Sequence, residues 1–276
     1  MEDLEKTLEK QVSRRSFLKT TGIGLGVAAG ALVFGTGVVG AQTNGAKPVE
    51  IPLPYVELDP EEARLRAHAG FYLYGCGYGS FYAILSMLRE KVGGPYNNIP
   101  SLMTSYAGAG VAYWGTLCGA LNGACAAINL ACPVKDTKTL SGELLGWYTK
   151  FSFPSEHSTA LSKAGAFKYT TKNNLFKGEY LKIDLPGSVS DSPLCHVSCA
   201  KWIAKSGFGY ESNERKERCA RLTADCAAKA VELLNAWKAG KFIATYKVDD
   251  ETASCLSCHE DDQEGLMSCT SCHEPH

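Results

Sequence analysis

The chain closes on two copies of one short text, Ser254-Cys255-Leu256-Ser257-Cys258-His259-Glu260 and Ser268-Cys269-Thr270-Ser271-Cys272-His273-Glu274. Each contains C-x-x-C-H, the attachment sequence of a c-type haem. Two cysteines three apart form thioethers to both vinyl groups of one porphyrin, and the adjoining histidine falls under the iron. A zinc ribbon also uses paired C-x-x-C, but with a spacer of about 15–20 residues and no need of a histidine after both pairs. The pattern therefore predicts two haem c per chain, held by Cys255, Cys258, Cys269 and Cys272, with His259 and His273 as proximal ligands. The motifs repeat every 14 residues, and a chain spans at most about 3.3–3.6 Å per residue, so the two haems stay near each other. So short a tail cannot bury two porphyrins. It must lay them on the rest of the chain, on a second copy, or on both.

The other end is an export signal. Ser13-Arg14-Arg15-Ser16-Phe17-Leu18-Lys19 is a twin-arginine motif, residues 21–40 are apolar and glycine-rich, and Val39-Gly40-Ala41 offers a small-residue cleavage site. A membrane anchor is the competing reading, but the stretch barely reaches the ~20 residues a span needs, and its glycines dilute it. The expectation is a cleaved signal over residues 1–41, a periplasmic protein, and no stable membrane span. The twin-arginine route carries folded proteins, often around a cofactor already inserted, whereas haem c is attached after export. That pairing predicts a second cofactor.

Charge bears on partners. Removing the presequence takes away five basic and four acidic residues, which moves the formal charge from −1 to −2. Nothing points to nucleic acid. Past Lys247 there is no Lys or Arg, while Asp249, Asp250, Glu251, Glu260, Asp261, Asp262, Glu264 and Glu274 are acidic. Such a tail lowers a haem potential and favours redox partners with a basic docking face.

The middle of the chain reads as all-α, a helical domain over residues 42–246 with a short, mostly irregular dihaem tail over 247–276. Asp59-Pro60-Glu61-Glu62 opens a helix running to about Tyr74. Further helices fit residues 80–92, 115–130, 140–151, 192–204 and 213–239. The third is made of small residues, which permits close approach to another helix or a cofactor. Residues 152–189 lack a clear period and carry Lys163, Lys168, Lys172, Lys177 and Lys182; they read as a long basic loop. No convincing alternating strand pattern longer than a few residues is present.

Eight further cysteines remain: Cys76, Cys118, Cys125, Cys132, Cys195, Cys199, Cys219 and Cys226. Disulfides are the default in an exported protein. Residues seven apart on one helix cannot pair, since a rise of ~1.5 Å per residue puts their Cα atoms beyond the ~7 Å limit, so any bridges must cross between helices. The alternative is an iron–sulfur cluster, which needs four thiolates. Cys195 and Cys118 fall near helix N-termini, where amide dipoles favour an anionic cluster.

Gly75-Cys76-Gly77-Tyr78-Gly79-Ser80-Phe81, Trp114-Gly115-Thr116-Leu117-Cys118-Gly119-Ala120-Leu121-Asn122-Gly123-Ala124, Ser192-Pro193-Leu194-Cys195-His196-Val197-Ser198 and Glu217-Arg218-Cys219-Ala220-Arg221-Leu222 resemble the C-GCAxxG-C-C family of redox proteins. With two haem motifs appended, the chain from about Tyr55 onward resembles the split-Soret cytochromes c. The resemblance implies a homodimer, closely stacked bis-histidine haems with ligands exchanged between subunits, and one iron–sulfur cluster, two-iron or four-iron, in the helical domain. Carried over by motif, its ligands are Cys76, Cys118, Cys195 and Cys219. Cys199 and Cys226 stand as alternatives to Cys195 and Cys219.

The candidates for the distal haem positions are His68, His157, His196 and His276, with Met267 as a thioether alternative; His157 and His68 rank first. The sequence thus predicts an electron carrier rather than an enzyme. A haem-dependent reductase with an open iron site, and a disulfide-held scaffold carrying a redox tail, are the rival readings.

Overall fold

The structure is a computed structural model that describes residues 50–168, 181–259, 265–270 and 273. The export signal, Lys172, Lys177, Cys272 and His276 lie outside the described residues. Those described belong to one unit, Pro48–His276.

Asp59 caps the first helix as the sequence predicts. Its Oδ1 accepts from Glu61 N at 2.9 Å, Pro60 occupies the first position, and Glu61 and Glu62 fill the first turn. Helix α1 spans Pro60–Lys91 but leaves helical geometry at Tyr74 and Gly75, the latter at φ 86° and ψ −178°. The two arms fold back on each other. Arg66 Nη1 lies 2.7 Å from Glu90 Oε1, residues that a straight helix would hold about 36 Å apart. A Cβ on Gly79 would come within 2.7 Å of Ala67 O. The two helices read from the sequence are thus a hairpin, its reversal made by a glycine at positive φ. Cys76 is the first residue past the reversal.

After two 3₁₀ turns, Gly94–Asn98 and Ser101–Ala107, come α2 (Gly119–Ala131), α3 (Val134–Lys150), α4 (Glu156–Lys163), α5 (Cys195–Ser206), α6 (Asn213–Lys238) and α7 (Asp250–His259). α6 packs along the α1 hairpin and α2 crosses it. The core between them holds Phe81, Ile84, Leu85, Leu121, Ile128 and Leu234, each side chain contributing about 1.5–3 kcal/mol on burial. The small-residue helix does what small residues permit: a Cβ on Gly123 would sit 2.0 Å from Gly77 O. Asn235 on α6 ties down the proline-rich lead-in, accepting from Tyr55 Oη at 2.7 Å and from Leu58 N at 3.1 Å.

Several expectations need correction. α3 begins directly after Pro133, six residues before the sequence reading. Residues 115–118 are not helical, and Leu117 forms a bridge. The basic loop holds α4, capped by Ser155 Oγ accepting from Ser158 N at 2.9 Å, so His157 is helical. Ser152–Phe153 also pairs antiparallel with Ser188–Val189. α5 begins at Cys195, capped by Leu194, rather than at 192. The tail, expected to be mostly irregular, carries α7, because Asp249 Oδ1 accepts from Thr252 N at 2.8 Å and Asp250 and Glu251 occupy the first turn.

Candidate metal centre

An isolated bridge between Leu117 and Leu194 sets the starts of α2 and α5 side by side. Cys118 N donates to Pro193 O at 2.9 Å, and Cys195 N to Thr116 O at 2.7 Å. Cys118 is the N-cap of α2 and Cys195 the first residue of α5. With Cys76 opening the second arm of α1, three cysteines stand where backbone N–H groups lack helical partners. The N–H groups are used: Ala109 and Gly77 donate to the Cys76 sulfur, and Ala120 to that of Cys118.

Residues 109–113 form an unusual turn over this point, with φ positive at Ala109, Gly110, Val111, Ala112 and Tyr113. Non-glycine residues there cost about 1–3 kcal/mol each and cluster at functional sites. The turn aims the Ala109 N–H at Cys76. A Cβ on Gly110 would lie 2.6 Å from Thr116 N and 2.8 Å from Cys195 Cβ.

Beneath the turn is a cavity of about 470 Å³ lined by Cys76, Cys118, Cys195, Cys199 and Cys219. The sequence-predicted quartet is thus brought together, and Cys199 joins it. Cys199 is hydrogen-bonded to both Cys195 and Cys219. Cys226 is wholly buried in the core and does not line the cavity; neither do Cys125 and Cys132. Burial raises the Cys76 thiol to about 12 and raises Cys118 as well. The Cys195 bond, opposed by Cys219, raises Cys199 to about 11. Unligated, these sulfurs stay protonated. Among the described residues no three His, Cys, Asp or Glu side chains converge closely enough to hold a single ion; the thiols stand around a space.

One cation faces that space from the interior. Arg218 is 1 % exposed. Its Nη2 donates to Ser198 Oγ at 2.8 Å, its Nη1 lies 4.0 Å from Cys219 Sγ, and its Nε has no partner. Among the described residues no carboxylate pairs with it. Arg215, at the rim, stacks over Tyr210 at 4.5 Å and also hydrogen-bonds Cys219. The Tyr148 hydroxyl lies within reach of Cys118 and 3.0 Å from Ser198 Oγ. Sequence reasoning missed both arginines. The i,i+4 spacing of Arg215 from Cys219 was the available signal; that of Arg218, one residue back, carried none.

His196 follows Cys195 beside the cavity, its backbone N–H donating to Gly115 O at 3.0 Å; the two leading distal candidates lie elsewhere. His68 is wholly buried, its Nε2 3.1 Å from Glu217 Oε1 and its ring stacked on Phe167 at 3.9 Å. His157 is half-exposed, its Nε2 2.7 Å from Glu61 Oε2.

The tail is pinned to α3. Glu143 Oε2 accepts from the N–H groups of Thr245 and Tyr246, both at 2.8 Å. The Tyr246 ring lies so close over Gly146 that a Cβ there would be 2.0 Å from it. On α7 the helix sets Cys255, Cys258 and His259 along one side. Cys269 of the second motif touches Cys255, and Thr270 Oγ1 donates to Glu251 Oε2 at 2.9 Å. Met267 Sδ lies 3.8 Å from Ser192 Oγ, three residues before Cys195.

The family model described as "Putative redox-active protein (C_GCAxxG_C_C)" matches residues 78–233, which take in most of α6 and of the cavity but begin just after Cys76. The chain belongs to this family. It is 35 % identical over 262 residues to split-Soret cytochrome c of Desulfovibrio desulfuricans, covering 90 % of this chain and 87 % of that protein. A solved structure described as a novel iron centre in the split-Soret cytochrome c from that organism superposes with a TM-score of 0.68, covering 81 % of this chain and 90 % of that one at 35 % identity. The family resemblance read from the cysteine blocks holds, and so does the mostly helical fold. The protein is a redox-active cytochrome c homologue. No helix among the described residues is long and apolar enough to cross a membrane.

Proposed function

We propose that the chain is a periplasmic electron-transfer protein carrying two haem c in its tail and one iron–sulfur cluster in the cavity. The observation that carries the cluster is the pairing of five thiols with a buried guanidinium that has no carboxylate. A buried cation without a counter-ion is strongly unfavourable, so the cavity is built for an anion. Thiolates gathered on iron supply that charge, and a coordinating metal deprotonates thiols outright. A space ringed by sulfur suits a cluster with its own iron and sulfide core better than one ion. Cys76, Cys118, Cys195 and Cys219 would hold it, and the helix N-termini and Ala109 N–H would stabilise its charge. When bound, the cluster supplies one-electron chemistry.

The abutting of the two C-x-x-C-H motifs supports adjacent haems, with His259 and His273 as proximal ligands. Of the distal candidates, His157 is the one we propose, supplied from a second copy in a homodimer. His68 is enclosed and already bonded to Glu217, so we assign it to the core. The contact of Met267 with Ser192 brings the second haem motif toward the cavity, which favours exchange between cluster and haem. The acidic tail suits a partner with a basic face, and export by the twin-arginine route fits a cluster inserted before transport.

The test is a visible spectrum, oxidised and reduced, of the exported protein, with total iron and acid-labile sulfide per chain. Iron beyond two per chain with matching sulfide and a low-spin, split Soret band is expected. Two irons without sulfide, or a carbon-monoxide-binding high-spin haem, would overturn the cluster and the pure carrier role respectively.

A further inference from the structure

Cys219 differs from the other cavity cysteines in its neighbours. Arg218 and Arg215, on the same face of α6, both direct guanidinium N–H groups at its sulfur. Cys76 and Cys118 receive backbone N–H groups instead. Arg218 is also over-provided with donors, since its buried Nε is unpartnered and only serine oxygens and sulfur stand near the rest. Tyr148 and Ser198 hold the Arg218 side chain in place. The other two buried arginines of the described residues are matched by carboxylates, Arg64 by Asp225 and Arg221 by Glu217.

We propose that Arg218, assisted by Arg215, is the built-in counter-charge of the centre: both bond the Cys219 sulfur and hold the potential of the iron it ligates above that of an unassisted thiolate site. This rests on the cluster reading of the cavity. Net charge and hydrogen bonds to sulfur are the levers that set such potentials. Reduction adds one electron and breaks no bond, so the added negative charge is stabilised by two fixed cations. A hydrogen bond to sulfur strengthens as the sulfur gains charge on reduction, so losing one shifts the reduction equilibrium by about tenfold.

The experiment is a redox titration of the purified, cofactor-loaded protein followed by electron paramagnetic resonance of the non-haem centre. Arg218→Met should make the centre at least about tenfold harder to reduce, a fall of about 59 mV for one electron, while Arg218→Lys should recover part of it. Arg215→Gln, at the rim, should lower the potential by a smaller step and decides the matter if Arg218→Met retains no centre. Sulfide-containing variants with the wild-type potential would overturn the counter-charge role alone. Wild-type protein without acid-labile sulfide would overturn the cluster, and this inference with it.

Discussion

The imidazole Nε2 of His68 lies 3.1 Å from Oε1 of Glu217, and neither side chain has any exposed surface. Arg221 completes the group, its Nε 2.8 Å from the same carboxylate oxygen. This is the polar heart of the α1–α6 packing, and its ionisation controls acid stability. Burial lowers the pKa of His68, with the Glu217 bond only partly restoring it. Burial raises Glu217, but the bond to His68 and the charge of Arg221 outweigh it and leave the carboxyl low. The unfolded histidine, near 6.5, takes up protons that the folded one refuses, so stability falls as pH drops through about 6.5. The Glu217 contribution is present above the ordinary carboxylate pKa of about 4.3 and is lost as pH falls through its lower folded value. Urea midpoints should fall between about pH 7.5 and 5.5, and His68→Gln should flatten that slope. A variant as pH-sensitive as the parent would rule the histidine out. Glu217→Ala, which strands Arg221, should cost about 3–5 kcal/mol.

Cys219 and Cys226 lie seven apart on α6, yet only Cys219 reaches the cavity. Cys219→Ser should strip most non-haem iron and sulfide from the protein while leaving the haem spectrum intact. Cys226→Ala should keep the iron and cost about 1 kcal/mol of stability, the ordinary size of such a core change. Iron analysis of both variants decides between the two ligand sets.

Gly119 follows the Cys118 cap, and a Cβ there would meet Ala107 O at 2.3 Å and Cys76 Sγ at 2.4 Å. Neither neighbour is a flexible chain end. Gly119→Ala should destabilise by about 1–3 kcal/mol and displace the Cys76 sulfur, so iron per folded protein should drop. Full iron loading in the variant would show that Cys76 is not a ligand.

Glu143 and Gly146 hold the tail, not the core. Glu143→Gln should weaken its anchoring and Gly146→Ala should expel the Tyr246 ring. Limited proteolysis should then cut near residues 240–249 at least about tenfold faster, with the thermal midpoint of the helical body little changed. Equal cleavage rates would mean the tail is held elsewhere.

The sequence exposed the elements whose signals are local. Asp59 followed by Pro60 and the extent of α6, read as 213–239 and found as Asn213–Lys238, were readable, and the four cysteine blocks carried the family. What escaped depended on distant partners. Leu117 pairs with Leu194 across 77 residues, and no periodicity announces a single bridge. The left-handed turn at Ala109–Tyr113 contradicts the preference of every non-glycine residue in it. Cys199 reads as a helix-face neighbour of Cys195, and only the packing of α5 on α6 brings it to Cys219. Arg218 reads as an ordinary helix residue until the missing carboxylate is noticed in three dimensions.

Because Glu143 grips the chain at Thr245 and Tyr246 and Thr252 is buried, α7, about 15 Å long for its ten residues, starts from a fixed point beside α3. Cys255, Cys258 and His259 ride on its outer half. A porphyrin held there, as proposed above, would lie within one helix length of that anchor, so the length of one helix and the position of one carboxylate would set where on the molecular surface electrons enter and leave.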